Sequence, residues 1–254
     1  MIRTQFYKCN LLKDIYKEYI YSMKSLTDIC KEDLIGCSYV TEHGSDKLDW
    51  HAYMPVYEER LETYRDSAER VLEVGVQGGG SIVMWQKYFT NANIVGVEWC
   101  GSEVLREKSR QLLDDSKSCI HWNTDGYNPQ TVEMLRQYGS FDIVIDDGPH
   151  TIESQCYFAL HYSQLVKVGG LVIVEDIDGL ENAQKIKNSL PDYMEGEIVD
   201  LLHVNNRYDD GAIIFQAKCS LYPNIKPKEI QKKVHKLEIK FLPLIIQNLL
   251  DVND

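Results

Sequence analysis

The sequence predicts an α/β fold: a mostly parallel sheet covered by helices on both faces, ending in an antiparallel hairpin, with helical additions at both ends. Three observations predict it. From residue 70 onward, apolar runs of strand length alternate with helical stretches; a glycine-rich turn follows the first run; and the last two runs are separated only by the turn-rich NNRYDDG. The chain has 254 residues, 44% of them hydrophobic and 26% charged, which suits one such domain and excludes disordered and fibrous classes.

Residues 1–66 lack strong strand runs, and Leu11, Leu12, Ile15, Tyr19, Ile20 and Met23 recur at spacings near the helical period, so this region is expected to be helical. The core is placed at residues 67–218. Its alternation reads RVLEVGV then SIVMWQKYF, NIVGVEW then EVLREKSRQLLDD, SCIHWN then PQTVEMLRQY, FDIVIDD then TIESQCYFALHYSQLV, and finally GLVIVEDI then NAQKIKNSL. Crossover connections of this kind run parallel strands with one hand. EIVDLLHV and AIIFQAK, joined by a short turn, must pair antiparallel. In the tail, residues 219–254, Ile230, Val234, Leu237, Phe241, Ile245 and Leu249 keep helical spacing, with Pro243 as a kink or break. Such an amphipathic helix, expected over 228–250, needs an apolar partner on its own domain or on a second subunit, and a homo-oligomer is expected.

Lys+Arg 27 against Asp+Glu 39 gives a net charge of −12, which repels nucleic-acid backbones and anionic membrane surfaces. No apolar stretch reaches a membrane span, and MIRTQFYKCNLLKDIYKEY lacks the apolar core of a signal peptide, so a cytoplasmic protein is expected. The seven cysteines form no CxxC pair and no zinc-finger spacing, and read as small apolar side chains.

VLEVGVQGGGS places Gly75, Gly78, Gly79 and Gly80 where a strand passes into a helix, the end of the sheet at which open α/β folds bind cofactors. A dinucleotide fingerprint would need glycine at Gln77, and a Walker motif would need Gly-Lys-Ser/Thr; neither is present. Glu73, two residues before Gly75, suits instead a cofactor with a cationic amino-acid end and no pyrophosphate: S-adenosylmethionine. Glu98, closing the second strand, is placed to accept from ribose hydroxyls, and Asp125, after the third, from the adenine amino group. Gly78, Ser81 and Asp146 are further expected cofactor contacts.

The fourth strand ends in Asp146, Asp147 and, shortly after, His150; the fifth ends in Glu175 and Asp176. Neighbouring strands would bring these carboxylates together, and gathering them unpaired costs several kcal/mol, so something positive should sit among them. An all-oxygen set favours Mg²⁺ or Mn²⁺. His150 lies three positions beyond Asp147, and Glu175 and Asp176 lie 28 and 29 positions beyond it. That spacing resembles the catechol-type metal-dependent O-methyltransferases, in which a metal aspartate is followed by a catalytic base and then by an acid pair.

Over about residues 40–217 the chain resembles the sugar O-methyltransferases of macrolide biosynthesis, of the macrocin and mycinamicin type. The resemblance rests on SDKLDWHAYMPVYEE, LEVGVQGGGSIVMWQKYFTNANIVGVE, IDDGPHTIESQ and GGLVIVEDI, with YDDGAIIFQA weaker. It implies a class I methyltransferase (Rossmann-like) fold with a seven-stranded, mostly parallel sheet, Mg²⁺, and methyl transfer to a sugar hydroxyl. It also implies Asp147, Glu175 and Asp176 as metal acids, His150 as base, and Glu73, Gly75, Glu98 and Asp125 as cofactor contacts. Pro149 stands where the family carries serine.

His51, Tyr53 and Tyr57, ahead of the first strand, are candidates for covering the cofactor or forming an acceptor wall. Arg207 and Asp209, in the hairpin turn, are candidates for facing the acceptor. Nucleic acid and membrane are not expected partners; a small molecule, a sugar above all, is. Three other readings stay open at this point: methyl transfer to a phosphate-type oxyanion, a nucleotide-cofactor oxidoreductase on the same fold, and a non-catalytic binding protein.

Overall fold

The computed structural model describes residues 24–33, 45–48, 50–204 and 211–217, with backbone alone over 212–217. The chain divides into two units, Met1–Ala217 and Lys218–Asp254, and every described residue belongs to the first. The expected helices over 11–23 and 228–250, and the candidates Arg207 and Asp209, lie outside the described residues.

Five parallel strands, β1 (Arg70–Val74), β2 (Asn93–Val97), β3 (Ser118–His121), β4 (Phe141–Asp146) and β5 (Val166–Ile177), are joined by β6 (Met194–Asp200) and β7 (Gly211–Ala217). The order across the sheet is β3-β2-β1-β4-β5-β7-β6, with β7 antiparallel to both β5 and β6. The order reverses at β1, whose neighbours are β2 and β4, and at that point the C-terminal strand ends open a crevice.

The pleat explains which side chains meet which helices. Val71, Ile94, Ile143, Ile145, Leu171 and Ile173 are buried on one face beneath α1 (Leu26–Asp33), α2 (Met54–Leu61) and α3 (Gly80–Tyr88). Their neighbours Leu72, Val74, Val95, Val97, Val144, Val172 and Val174 are buried on the other face, with side chains from α5 (Pro129–Leu135), α6 (Ile152–Tyr162) and α7 (Gly179–Asn188). Continuing the alternation puts Glu73, Asp147 and Glu175 on the first face and Asp146 on the second.

One expected helix differs. EVLREKSRQLLDD forms a single 3-10 turn, Ser102–Val104, then an extended step, and only then α4 (Glu107–Leu112). Tertiary contact overrides propensity here: Arg106 donates its N–H to the Gly78 carbonyl (3.1 Å), and Leu105 packs where a side chain on Gly79 would otherwise stand. β5 also starts earlier than GLVIVEDI suggests, because Val166 pairs with Phe141 and the strand resumes its register after an irregularity at Gly169 and Gly170.

Candidate functional site

The turn after β1 is built around a close backbone approach. Gly75 has φ +95°, and a Cβ there would fall 1.8 Å from the Asp147 carbonyl oxygen, so glycine is required by the β4 loop that crosses it. Gly75 N–H bonds the Val97 carbonyl (2.9 Å) and Asp147 N–H the Val74 carbonyl (2.8 Å), locking the ends of β1, β2 and β4 together. Gly79 (φ +83°) then opens α3.

Glu98 holds this turn in shape. Its Oε2 accepts from the N–H groups of Val76 (2.9 Å) and Gln77 (2.7 Å), and its Oε1 from that of Cys100 (2.9 Å). A carboxylate offers about four acceptor positions, so room for one further donor remains. Asp125 accepts from the Tyr127 N–H (2.9 Å) and stays half-buried. Asp146 is buried: one oxygen accepts from the Tyr127 hydroxyl, while Oδ2 has no hydrogen-bond partner among the described residues, and burial pushes its carboxyl up to about 8. That orphaned acceptor beside a glycine turn fits the cationic amino-acid end of S-adenosylmethionine. Ser81 donates to Glu73 Oε2 (2.6 Å), and both are buried.

The acids on the next strands divide into two groups. Near oxygens of Asp147 and Asp176 face His150: its Nε2 lies 4.0 Å from Asp147 Oδ1 and 3.3 Å from Asp176 Oδ2. One ligand atom from each of these three residues lies within 4.8 Å of the others. His150 (φ +55°), Asp176 (φ +53°) and Gln77 (φ +45°) all sit in the left-handed region, a strain that persists only where surrounding contacts impose it. At Asp176 the cause is visible: β5 carries one more residue than β7 between the Val174 and Ile177 pairs, a bulge that swings Asp176 towards His150. Gln155 pins that bulge through its Nε2, which donates to the carbonyls of Glu175 (2.9 Å) and Asp176 (3.1 Å).

Far oxygens of the same acids are held by the segment that precedes β1. Asp176 Oδ1 accepts from the Tyr53 hydroxyl (2.5 Å) and lies 3.6 Å from His51 Nδ1, whose ring stacks on Tyr53. Asp147 Oδ2 lies 2.6 Å from the ammonium of Lys47. Glu175 has both oxygens engaged, one by Lys47 and one by the Tyr57 hydroxyl, and it is buried. Of the three expected metal acids, two therefore face His150 and the third lies behind them against Lys47. His51, Tyr53 and Tyr57 are all buried, and each one's polar atom reaches an acid of the site.

Lys47 and Gln155 are the two residues that sequence reasoning missed. Lys47 is 1% exposed and also lies 3.6 Å from Glu73 Oε1. Burial alone would push its ammonium down, but Asp147, Glu175 and Glu73 together hold it well above the ordinary lysine value. Burial pushes the acids the other way: Asp147 and Glu175 are raised, and Glu73 reaches about 7 despite Lys47. One ammonium cannot balance Glu73, Asp147, Glu175 and Asp176 when all are ionised, so the cluster either holds protons, as the raised carboxyls do, or takes a divalent cation in their place. The oxygens of Asp147 and Asp176 suit Mg²⁺ or Mn²⁺; an imidazole is a poor Mg²⁺ ligand, which leaves His150 free for proton transfer.

This sheet, with its reversal at β1 and its glycine turn, is the class I methyltransferase fold. In sequence the chain resembles macrolide and related sugar O-methyltransferases. It is 34% identical over 143 residues to the 8-demethyl-8-(2-methoxy-alpha-L-rhamnosyl)-tetracenomycin-C 3'-O-methyltransferase of Streptomyces olivaceus, covering 53% of this chain and 35% of that protein. It is 32% identical over 136 residues to the mycinamicin VI 2''-O-methyltransferase of Micromonospora griseorubida, covering 50% and 32%. The chain thus spans about a third of the length of these relatives. Among solved structures, the MycE methyltransferase of mycinamycin biosynthesis, in complex with Mg and SAH, superposes with a TM-score of 0.59 at 19% identity, over 80% of this chain and 57% of that one. No family model matches the chain. Among the described residues, no helix is long and apolar enough to cross a membrane.

Proposed function

We propose that the chain is a metal-dependent O-methyltransferase, moving a methyl group from S-adenosylmethionine to a hydroxyl of a small molecule, a sugar or sugar-containing metabolite. The observation that carries this reading is the convergence of Asp147, Asp176 and His150 beside the glycine turn at the sheet's C-terminal edge. The tetracenomycin relative, named as the O-methyltransferase of a rhamnosyl-bearing molecule, supports the acceptor class. Gln77 in place of a pyrophosphate glycine weighs against an oxidoreductase.

S-adenosylmethionine would supply the methyl group, and a magnesium ion would supply the positive charge that lowers the pKa of the acceptor hydroxyl. Asp147 and Asp176 would hold the ion through their near oxygens. His150 would take the hydroxyl proton, and the negative charge of the neighbouring Asp147 and Asp176 would favour the imidazolium that forms. Glu98 keeps the glycine turn in its binding shape, and Asp146 and Asp125 offer acceptors to the two ends of the cofactor. Orientation of the two reactants supplies much of the rate, since no covalent intermediate is needed. The reading includes a homo-oligomer acting in the cytoplasm. Its first test is calorimetric titration with S-adenosylhomocysteine and with NAD: binding of the first alone is expected, and binding of NAD alone would replace this reading with an oxidoreductase.

A further inference from the structure

Arg70, Asn93 and Ser118 are the first residues of β1, β2 and β3, so they lie at the opposite end of the sheet from the glycine turn, about 13 Å away along β1. Beside them is a cavity of about 360 Å³, also lined by Ser116, Cys119 and Tyr138, a volume that holds a small metabolite. Its cation is Arg70. Nη1 donates to the Tyr138 carbonyl (2.7 Å), and Nη2 lies 3.5 Å from the exposed carboxylate of Glu69, a pair worth little in water. Nε is buried and has no hydrogen-bond partner among the described residues. Such an orphaned donor is uncommon in a folded protein and calls for an acceptor from outside the chain. The backbone makes room for the guanidinium: Gly139 has φ +78°, and a Cβ there would stand 3.3 Å from Arg70 Nη1.

We propose that this cavity is a second ligand site, separate from the cofactor crevice, for a small polyhydroxylated molecule carrying one oxyanion, phosphorylated or carboxylated. The anion would meet Arg70, whose charge-assisted N–H bonds give such a contact its strength and direction. Hydroxyl recognition falls to the other walls. Ser116 and Ser118 spend their own protons on Asp114, at 2.6 Å to Oδ1 and 3.2 Å to the carbonyl, which leaves their oxygens as acceptors for ligand hydroxyls. The Asn93 amide offers a donor and an acceptor together. Cys119, exposed at the cavity with its thiol 3.3 Å from the Tyr138 hydroxyl, is placed to report occupancy.

The test titrates the full chain with glucose 1-phosphate, with glucuronate and with glucose, by calorimetry and by the rate at which iodoacetamide alkylates Cys119, read by peptide mass spectrometry. At least one of the two anionic probes is expected to bind and to slow alkylation of Cys119 severalfold, while Cys100, also exposed, reacts as before. The pair of probes tells a phosphate from a carboxylate preference. Glucose, which lacks the anion, should give no protection. Arg70→Met should weaken binding roughly tenfold or more. Asn93→Asp sets a negative charge at the cavity, leaves Arg70 in place and should weaken binding likewise, so it carries the test should Arg70→Met fail to fold. Absence of protection by both anionic probes would overturn the proposal, and so would protection by glucose equal to theirs. Binding that survives Asn93→Asp and a folded Arg70→Met at wild-type affinity would place the ligand elsewhere and overturn it too.

Discussion

Tyr53 and Asp176 exchange two hydrogen bonds: the tyrosine hydroxyl donates to Oδ1 at 2.5 Å and accepts from the Asp176 backbone N–H at 3.0 Å. The pair ties the segment before β1 to the bulge in β5 and holds Asp176 with its second oxygen towards His150. Tyr53→Phe removes both bonds and leaves the ring stack with His51. Asp176 should then lose its fixed direction, weakening Mn²⁺ binding and lowering turnover, with a stability loss of about 1–2 kcal/mol. Wild-type metal affinity in this variant would reduce Tyr53 to a packing residue.

Glu98 organises the glycine turn through three backbone N–H groups. Glu98→Ala should weaken S-adenosylhomocysteine binding by roughly 1–3 kcal/mol, the usual cost of losing hydrogen bonds to a charged group. Gly75→Ala should be more damaging, because its Cβ would meet the Asp147 carbonyl oxygen at 1.8 Å and disturb the cofactor turn and metal loop together. Calorimetry on both variants decides the matter: normal affinity in Glu98→Ala would remove the carboxylate from cofactor binding.

Glu73 links stability to pH. Burial raises its carboxyl from 4.5 to about 7, so the folded protein holds that proton more tightly than the unfolded chain. Stability contributed this way is present at low pH and declines as pH rises from the ordinary carboxylate range to about 7. In EDTA, the unfolding midpoint should fall across that window, and Glu73→Gln should flatten the fall. A midpoint that rises through the same window would contradict the assignment.

Most of the sheet could be read from the sequence because burial on both faces forces apolar runs such as FDIVID and GLVIVED, which few other arrangements require. The common face of Glu73, Asp147 and Glu175 was also within reach, since strand alternation and parallel register fix it. What occupies that face was not. Converging acids imply a positive group among them, and an all-oxygen set implies a metal; the fold also supplies Lys47, which approaches Glu175 from 128 positions away. No local pattern encodes such a contact. The left-handed turn at Asp176 was equally hidden, because the extra residue is defined only against β7. The break before α4 depends on Arg106 reaching Gly78, again across the fold.

His150 is 38% exposed, the most open of the three converging side chains, as a group that meets an acceptor should be. His150→Ala should retain S-adenosylhomocysteine binding and Mn²⁺ binding while turnover falls by roughly 10²–10⁴-fold, the usual contribution of a positioned general base. Loss of Mn²⁺ binding along with turnover would make the histidine a ligand.

Methyl transfer from labelled S-adenosylmethionine to rhamnosyl and other deoxysugar glycosides, measured in Mg²⁺, in EDTA, and after Mg²⁺ is returned, tests the proposed activity most directly. Transfer to a sugar hydroxyl is expected in Mg²⁺, with its loss in EDTA while S-adenosylhomocysteine binding stays intact, and its recovery when Mg²⁺ is restored. Undiminished transfer in EDTA would remove the metal from the mechanism, and failure to bind S-adenosylhomocysteine would contradict the methyltransferase reading as a whole.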